Sequence, residues 1–377
     1  MDSPTARRSA AAIALSLALV AGACSSDSSS TTSDTAADAR PNGTAPADAS
    51  TVVFPGAEWA VVTPAEQGMN PAPLAELSTS IEAKDSNCLA VVKDGKLVTD
   101  ERYRDFTPES RQEIFSATKS ITSALAGIAQ DQGKLTIDQP ASTWLTEWKG
   151  TPSESVTVRN LLSNDSGRYY DFNTDYLQMA VQESDKSTFA LGLSQQFPPG
   201  EHWEYNNSAI QTLSPLLERA TGQDLDTFAT ANLFEPIGMD SEIRSDEAGN
   251  TLTFMGAQAN CHDMARFGWL FANNGRWADT QVVSEAWVAE STSKASQQLN
   301  DSYAMLWWRN GVNAEGEKSW PDAPDDAFAA LGLGEQTVLV LPTQHIVAVR
   351  LGLPPGGDNG QGRIVNEMAK AVMAANG

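Results

Sequence analysis

Phe115-Ser116-Ala117-Thr118-Lys119-Ser120 opens a run to about Gln130 in which Ile121, Leu125 and Ile128 recur at helical spacing. Ala117, Ala124, Ala126, Gly127 and Ala129 fill most of the other positions, and charge is nearly absent until Asp131. A helix with so little polar face is buried almost all round. Its polar residues gather at the N-terminal end, where free amide hydrogens and the helix dipole favour a reactive serine. The run therefore predicts a buried helix over 116–130, with Ser116 and Lys119 one turn apart on a shared face.

Outward from this helix the pattern changes from a period near 3.6 to strands. Cys88 to Val92 is apolar, Lys93-Asp94-Gly95-Lys96 turns, and Leu97 to Tyr103 continues. Asp-Gly between two such runs signals a hairpin. A second hairpin is read from Gln336 to Leu341 and Ile346 to Leu351, flanking Pro342-Thr343-Gln344-His345. Arg363 to Ala375 carries Ile364, Met368, Ala371 and Val372 at helical spacing. Further helical patterns cover Val158 to Leu162, Ala209 to Gly222 and Met264 to Asn274. Strands near both ends with helices between them predict an α+β fold. An antiparallel sheet is built from the N- and C-terminal strands and flanked by helices, and a mostly helical region is inserted at roughly 135–300.

The chain has 377 residues, 41% of them hydrophobic, and a net charge of −23. That charge, without a basic stripe, argues against a nucleic-acid partner. Arg7 and Arg8 precede a short apolar stretch, Ser9 to Ala23, which reads as an export signal rather than a membrane span. Val20-Ala21-Gly22-Ala23-Cys24 resembles a bacterial lipobox, in which the cysteine is lipidated and becomes the new N-terminus. Residues 25–50 are almost all Ser, Thr, Asp, Ala, Gly and Pro, too polar to build a core. They read as a tether reaching about 25–30 Å on average. The expected organisation is a signal peptide at 1–23, lipidated Cys24 with its tether at 24–50, and a catalytic domain at 51–377. The chain is then exported and held at the cell envelope by a lipid anchor only; plain secretion is the alternative.

Cys88 and Cys261 could bond in an exported chain, although two buried free thiols are the plainer reading. His202, His262 and His345 are the only histidines, and neither His-Glu-x-x-His nor Cys-x-x-Cys occurs. No catalytic metal and no cofactor is expected.

A serine hydroxyl needs a base before it attacks a carbonyl. Lys119 at i+3 puts an amine beside Ser116, and a buried cation would lower the pKa of a nearby phenol. Tyr205 is the candidate phenol. Asn207, two residues on in the one Tyr-x-Asn of the chain, lies on the same side if the segment is extended and can orient lysine and substrate. A second Ser-x-x-Lys, Ser291-Thr292-Ser293-Lys294, lies in a polar stretch and reads as solvated surface.

Taken in order, five stretches carry a resemblance: Phe115 to Ser120; Val158 to Leu162 leading to Ser166-Gly167; Pro199-Gly200 to Tyr205-Asn206-Asn207; Met264 to Gly268; and Tyr303 to Trp308. Over about residues 55–377 the chain resembles the serine β-lactamase and penicillin-binding-protein superfamily. The likeness is to its class C and carboxylesterase side, in particular the 6-aminohexanoate-dimer hydrolase type. The resemblance implies an acyl-enzyme on Ser116, assisted by Lys119 and Tyr205. It also implies an oxyanion hole made by the amide of Ser116 and one from the strand near Ala330-Leu331-Gly332-Leu333. Leu333 is the expected donor, and a shifted register would put Gln336 there. Members that act on β-lactams carry Lys-Thr-Gly or His-Thr-Gly on that strand. This chain has no cation there, in Ala330-Leu331-Gly332 or in Leu333-Gly334-Glu335. The departure favours hydrolysis of a small, less anionic ester or amide over a β-lactamase or DD-peptidase. A non-catalytic envelope-binding protein and a Ser-His-Asp hydrolase compete with that expectation, although no Gly-x-Ser-x-Gly elbow occurs. Tyr169 and Tyr170 follow Gly167 and could cover a substrate, with Tyr170 the substrate-binding candidate. Trp307 and Trp308 read as core.

Overall fold

Both expected hairpins form, and they share one sheet. In the computed structural model, which describes residues 52–293, 296–312, 316–353 and 363–377, β1 (Ser86–Lys93) and β2 (Lys96–Arg102) flank the Asp94-Gly95 turn. Toward the C-terminus lie β3 (Trp308–Arg309), β4 (Phe328–Gly332), β5 (Gln336–Leu341) and β6 (Ile346–Gly352). The six strands run in the order β2-β1-β6-β5-β4-β3, with antiparallel neighbours. β1 and β6 meet in the middle, Ala90 opposite Val349, so the two ends of the chain close on each other. The described residues fall within one unit, Asp48–Gly377. The proposed signal, Cys24 and the tether lie outside the described residues.

Alternation along these strands feeds two cores. Cys88, Ala90 and Val92 of β1, with Val347, Val349 and Leu351 of β6, face the inserted region. Leu89, Val91, Ile346 and Ala348 face the other way, against helices α1 (Pro71–Glu82) and α8 (Arg363–Asn376). Burial on both faces explains why these strands read as unbroken apolar runs.

Between the two hairpins lie α2 (Thr118–Asp131), which precedes the inserted region, and α3 (Val158–Ser163), α4 (Asn207–Gln211), α5 (Leu213–Thr221), α6 (Cys261–Ala272) and α7 (Glu285–Thr292) within it. Every residue of α2 from Thr118 to Ala129 is buried, as its composition predicts. The single helix expected over 209–222 breaks at Thr212 because Pro215 has no N–H for the carbonyl of Gln211. α6 starts earlier than its apolar spacing suggests. Asn260 caps it by accepting from Asp263 N while the Asp263 side chain reaches back, a reciprocal box. Gly268 lets α6 lie close on the sheet, since a Cβ there would fall 2.5 Å from Cγ1 of Val347. Cys88 of β1 and Cys261 at the start of α6 are disulfide-bonded, with Cα atoms 6.4 Å apart, so the free-thiol reading is corrected.

The second Ser-x-x-Lys is also corrected in part. Ser291 is fully buried in α7 and donates to the carbonyl of Val288; Lys294 lies outside the described residues.

Candidate active site

Ser116 sits just before the α-helix, in the 3₁₀ turn Phe115–Ala117 that leads into α2. Phe115 has φ 49°, a left-handed conformation that a bulky residue adopts only when its surroundings impose it. Lys119, in the first turn of α2, is 1% exposed. Its Nζ donates to Ser116 Oγ at 2.9 Å and to the carbonyl of Phe254 at 2.8 Å. That carbonyl is in place because α2 is stitched to residues 253–257. Thr122 Oγ1 donates to the Thr253 carbonyl at 2.8 Å, and Ala257 N donates to Thr118 Oγ1 at 3.1 Å. Burial pulls the Lys119 amine down to about 7, and the charge of Asp175 opposes the fall.

Tyr205 comes from a separate stretch and closes over this pair. Its ring centroid is 4.8 Å from Lys119 Nζ, and the Ser116 side chain is close enough to act on its hydroxyl. Burial pushes the phenol above its ordinary value, the Ser116 side chain opposes this, and Tyr176 and Asp175 add to the rise. The sequence-based expectation that a neighbouring cation lowers this phenol is thus reversed. Desolvation is the largest cause, and the amine, at about 7, is the group nearest neutrality.

The Tyr205 ring stacks on Trp308 at 5.7 Å and 26° and meets Tyr303 edge-on at 5.9 Å. The tryptophan pair therefore splits. Trp307 is fully buried among Phe267, Phe271 and Phe328, whereas Trp308 is half-buried against the site. The core reading holds fully for Trp307 and in part for Trp308, which packs against the second core on the other face while its ring also meets Tyr205.

Asn206, between the two motif residues, is extended and caps α4. Its Oδ1 accepts from Ala209 N at 2.8 Å, and its Nδ2 donates to the carbonyls of Arg168 and Tyr169 at 3.2 and 3.1 Å. Asn207 begins the helix and is buried. Its Nδ2 donates to Asp175 Oδ2 at 2.8 Å, and no bond joins it to Lys119 among the described residues. Asp175 also accepts from Asn207 N, Ser208 N and Ser208 Oγ at 3.2, 2.7 and 2.6 Å. Sequence reasoning missed Asp175, and no motif marks it. It is one acid in a polar stretch, and only the fold brings it under the Tyr-x-Asn segment.

Tyr170 lies to one side, in a pocket of about 120 Å³ walled by His202, Glu204 and Asn206 among others. That pocket is next to Tyr205 along the chain but does not include Ser116. Leu333 is the first residue past β4 and is 40% exposed. The strand end before it abuts the serine turn. A Cβ on Gly332 would fall 2.2 Å from the Ile114 carbonyl oxygen and 3.2 Å from Ala117 N, on either side of Ser116. Gln336 stands one strand further on, opposite Gly332. None of the three histidines is bonded to Ser116 among the described residues. His202 lies by Phe197 and Glu204, His262 bonds Asp100 at 2.9 Å, and His345 faces Asp94.

A chain of known activity with similar sequence is the 6-aminohexanoate-dimer hydrolase of Paenarthrobacter ureafaciens, 24% identical over 67% of this chain and 74% of that protein. The esterase EstB of Burkholderia gladioli is 28% identical over 33% of this chain and 36% of its own length. A penicillin-binding protein homologue from Caulobacter crescentus shares the fold, with a TM-score of 0.67 at 17% identity, over 81% of this chain and 97% of that one. The family model described as Beta-lactamase matches residues 86–352, which span the sheet, the serine turn and the Tyr-x-Asn segment. With most of its length inside that match, the chain belongs to the beta-lactamase family of serine hydrolases and penicillin-binding proteins.

Proposed function

We propose that this protein is a serine hydrolase that forms an acyl-enzyme on Ser116 and hydrolyses a small ester or amide. One observation carries the reading: a buried amine, brought down to about 7, donates to the Ser116 hydroxyl at 2.9 Å beneath a protonated phenol. When neutral, Lys119 takes the Ser116 proton as Oγ bonds to the substrate carbonyl carbon. The amides of Ser116 and Leu333 hold the oxyanion. Collapse breaks the bond to the leaving group, which takes a proton from the Tyr205 hydroxyl, and Lys119 returns one to Tyr205. Water, deprotonated by the same amine, then attacks the ester carbonyl and releases the acid and Ser116. Asn207 positions the substrate, and Tyr170 borders it from the side pocket.

The substrate carries no essential carboxylate, because Ala330-Leu331-Gly332 offers no cation, Asp175 lies near Tyr205 and Glu204 lies near Tyr170. The names of the similar hydrolase and esterase point to the same class of reaction. Export, with lipidation at Cys24 and a tether to about residue 50, belongs to this proposal and rests on the sequence.

A fluorophosphonate probe tests it. Labelling of the wild type that maps to the Ser116 peptide and vanishes in Ser116→Ala supports the enzyme. Absence of labelling in both favours a binding protein. Turnover of a chromogenic cephalosporin faster than that of p-nitrophenyl esters and linear amides would favour a β-lactamase and refute the argument from the missing cation.

A further inference from the structure

The tip that follows β4, Leu333-Gly334-Glu335, is held by two fully buried side chains. Gln336 Nε2 donates to the Leu333 carbonyl at 3.1 Å and to the Gly352 carbonyl at 2.6 Å. Its Oε1 accepts from Gly352 N at 2.9 Å and from Gln112 Nε2 at 2.8 Å. Arg350 donates to the Gly334 carbonyl, and anchors itself through Nε to Ser86 Oγ and through Nη2 to the Lys84 carbonyl, both at 2.8 Å. The carbonyls of the first two tip residues are thus tied to the ends of β1 and β6. Leu333 is nevertheless 40% exposed, in the kind of tight turn that otherwise opens most easily.

An oxyanion donor helps only if it is aimed before charge develops. The Leu333 N–H lies in the Gly332–Leu333 peptide, which β4 holds on one side; Gln336 holds the Leu333 carbonyl on the other, so residue 333 is restrained from both ends. A primary amide has two N–H donors. Both of those on Gln336 are used, on Leu333 and Gly352, so its side chain has none left for a substrate. We infer that Gln336 is a positioning residue: by holding the Leu333 carbonyl it restrains the residue whose N–H follows Gly332 at the serine turn, and it makes no contact with the reacting carbonyl. The inference rests on the acyl-enzyme reading of Ser116 and adds a residue to it.

The test is a double-mutant cycle on single-turnover acylation by a p-nitrophenyl ester. Gln336→Ala and the isosteric Gln336→Glu are each compared with Leu333→Pro, which deletes the amide hydrogen. Acylation in the two Gln336 variants is expected to fall about 10- to 100-fold, the effect of misplacing a group by about 1 Å. KM should change less than kcat, and thermal melting should show both variants folded at the assay temperature. Combining Gln336→Ala with Leu333→Pro should add little to the loss from Leu333→Pro alone, since both act through one amide. Unchanged acylation in the folded Gln336→Glu protein, or losses that simply multiply, would overturn the inference. Ser116→Ala run alongside separates the two readings. Full activity there defeats the acyl-enzyme reading and this inference together. Loss there with normal acylation in Gln336→Glu defeats the positioning role alone.

Discussion

Asp175 and Asn207 are joined by a 2.8 Å hydrogen bond from the asparagine amide to the carboxylate. The bond fixes which way the amide faces. Its donor end is committed to Asp175, and its Oδ1 is buried without a hydrogen-bond partner among the described residues. The same carboxylate acts through space on Lys119, favouring the ammonium against the cost of burial. One acid therefore tunes two of the residues proposed for the chemistry.

Lys119 accepts a proton only when neutral, so kcat/KM should rise with pH through about 7. Asp175→Asn removes the negative charge that stabilises the ammonium. The Lys119 pKa should then fall further, and the rising limb should move to lower pH. Ester hydrolysis followed across pH checks the sign; a limb that stays in place, or moves upward, would remove Asp175 from this role.

Tyr205→Phe keeps the ring that stacks on Trp308 and deletes only the hydroxyl next to Ser116. Turnover should fall by roughly 10²- to 10⁴-fold, the range for loss of a positioned proton donor, with the melting temperature nearly unchanged. A steady-state assay beside a thermal melt decides the point. Activity within a few-fold of wild type would return the tyrosine to a packing role.

Gly332→Ala places a methyl group 2.2 Å from the carbonyl oxygen of Ile114, which is backbone and has little room to yield. β4 must shift away from the serine turn, and acylation should drop by about 100-fold or more. Fluorophosphonate labelling rates report this directly, with Leu331→Ala as the control expected to react at close to the wild-type rate.

Trp308→Ala removes the face on which the Tyr205 ring rests. An aromatic pair of this kind contributes about 0.5–1.5 kcal/mol beyond simple burial. Turnover should fall by roughly 3- to 10-fold, and Trp308→Phe should restore most of it. Full activity in the alanine variant would show that Tyr303 and burial alone hold the phenol.

Much of this architecture could be read directly because its signals are local. The Asp94-Gly95 turn, the alternating runs at 336–351 and the charge-free helix after Ser116 each declare themselves within a few residues. The Ser116–Lys119 pairing follows from helical spacing, and even the 3₁₀ start of the helix leaves the two side chains bonded. What escaped reading depends on tertiary placement. Asp175 and the Phe254 carbonyl reach the site through folding of distant segments. The bond between Cys88 and Cys261 needs β1 and α6 to be adjacent. The direction of the Tyr205 shift turns on desolvation, which a string of letters does not carry.

The disulfide closes a ring over a sequence separation of 173, and that ring contains the serine turn, Asp175 and the Tyr-x-Asn segment, while β4 lies outside it. A single cut by a protease at any exposed loop inside the ring would give two pieces that cannot diffuse apart. Ser116 and Tyr205 would stay fastened to the same scaffold, whereas one cut between β3 and β4 has no such covalent tie across it. Damage tolerance is therefore unevenly distributed over the chain, and it is greatest where the proposed site lies.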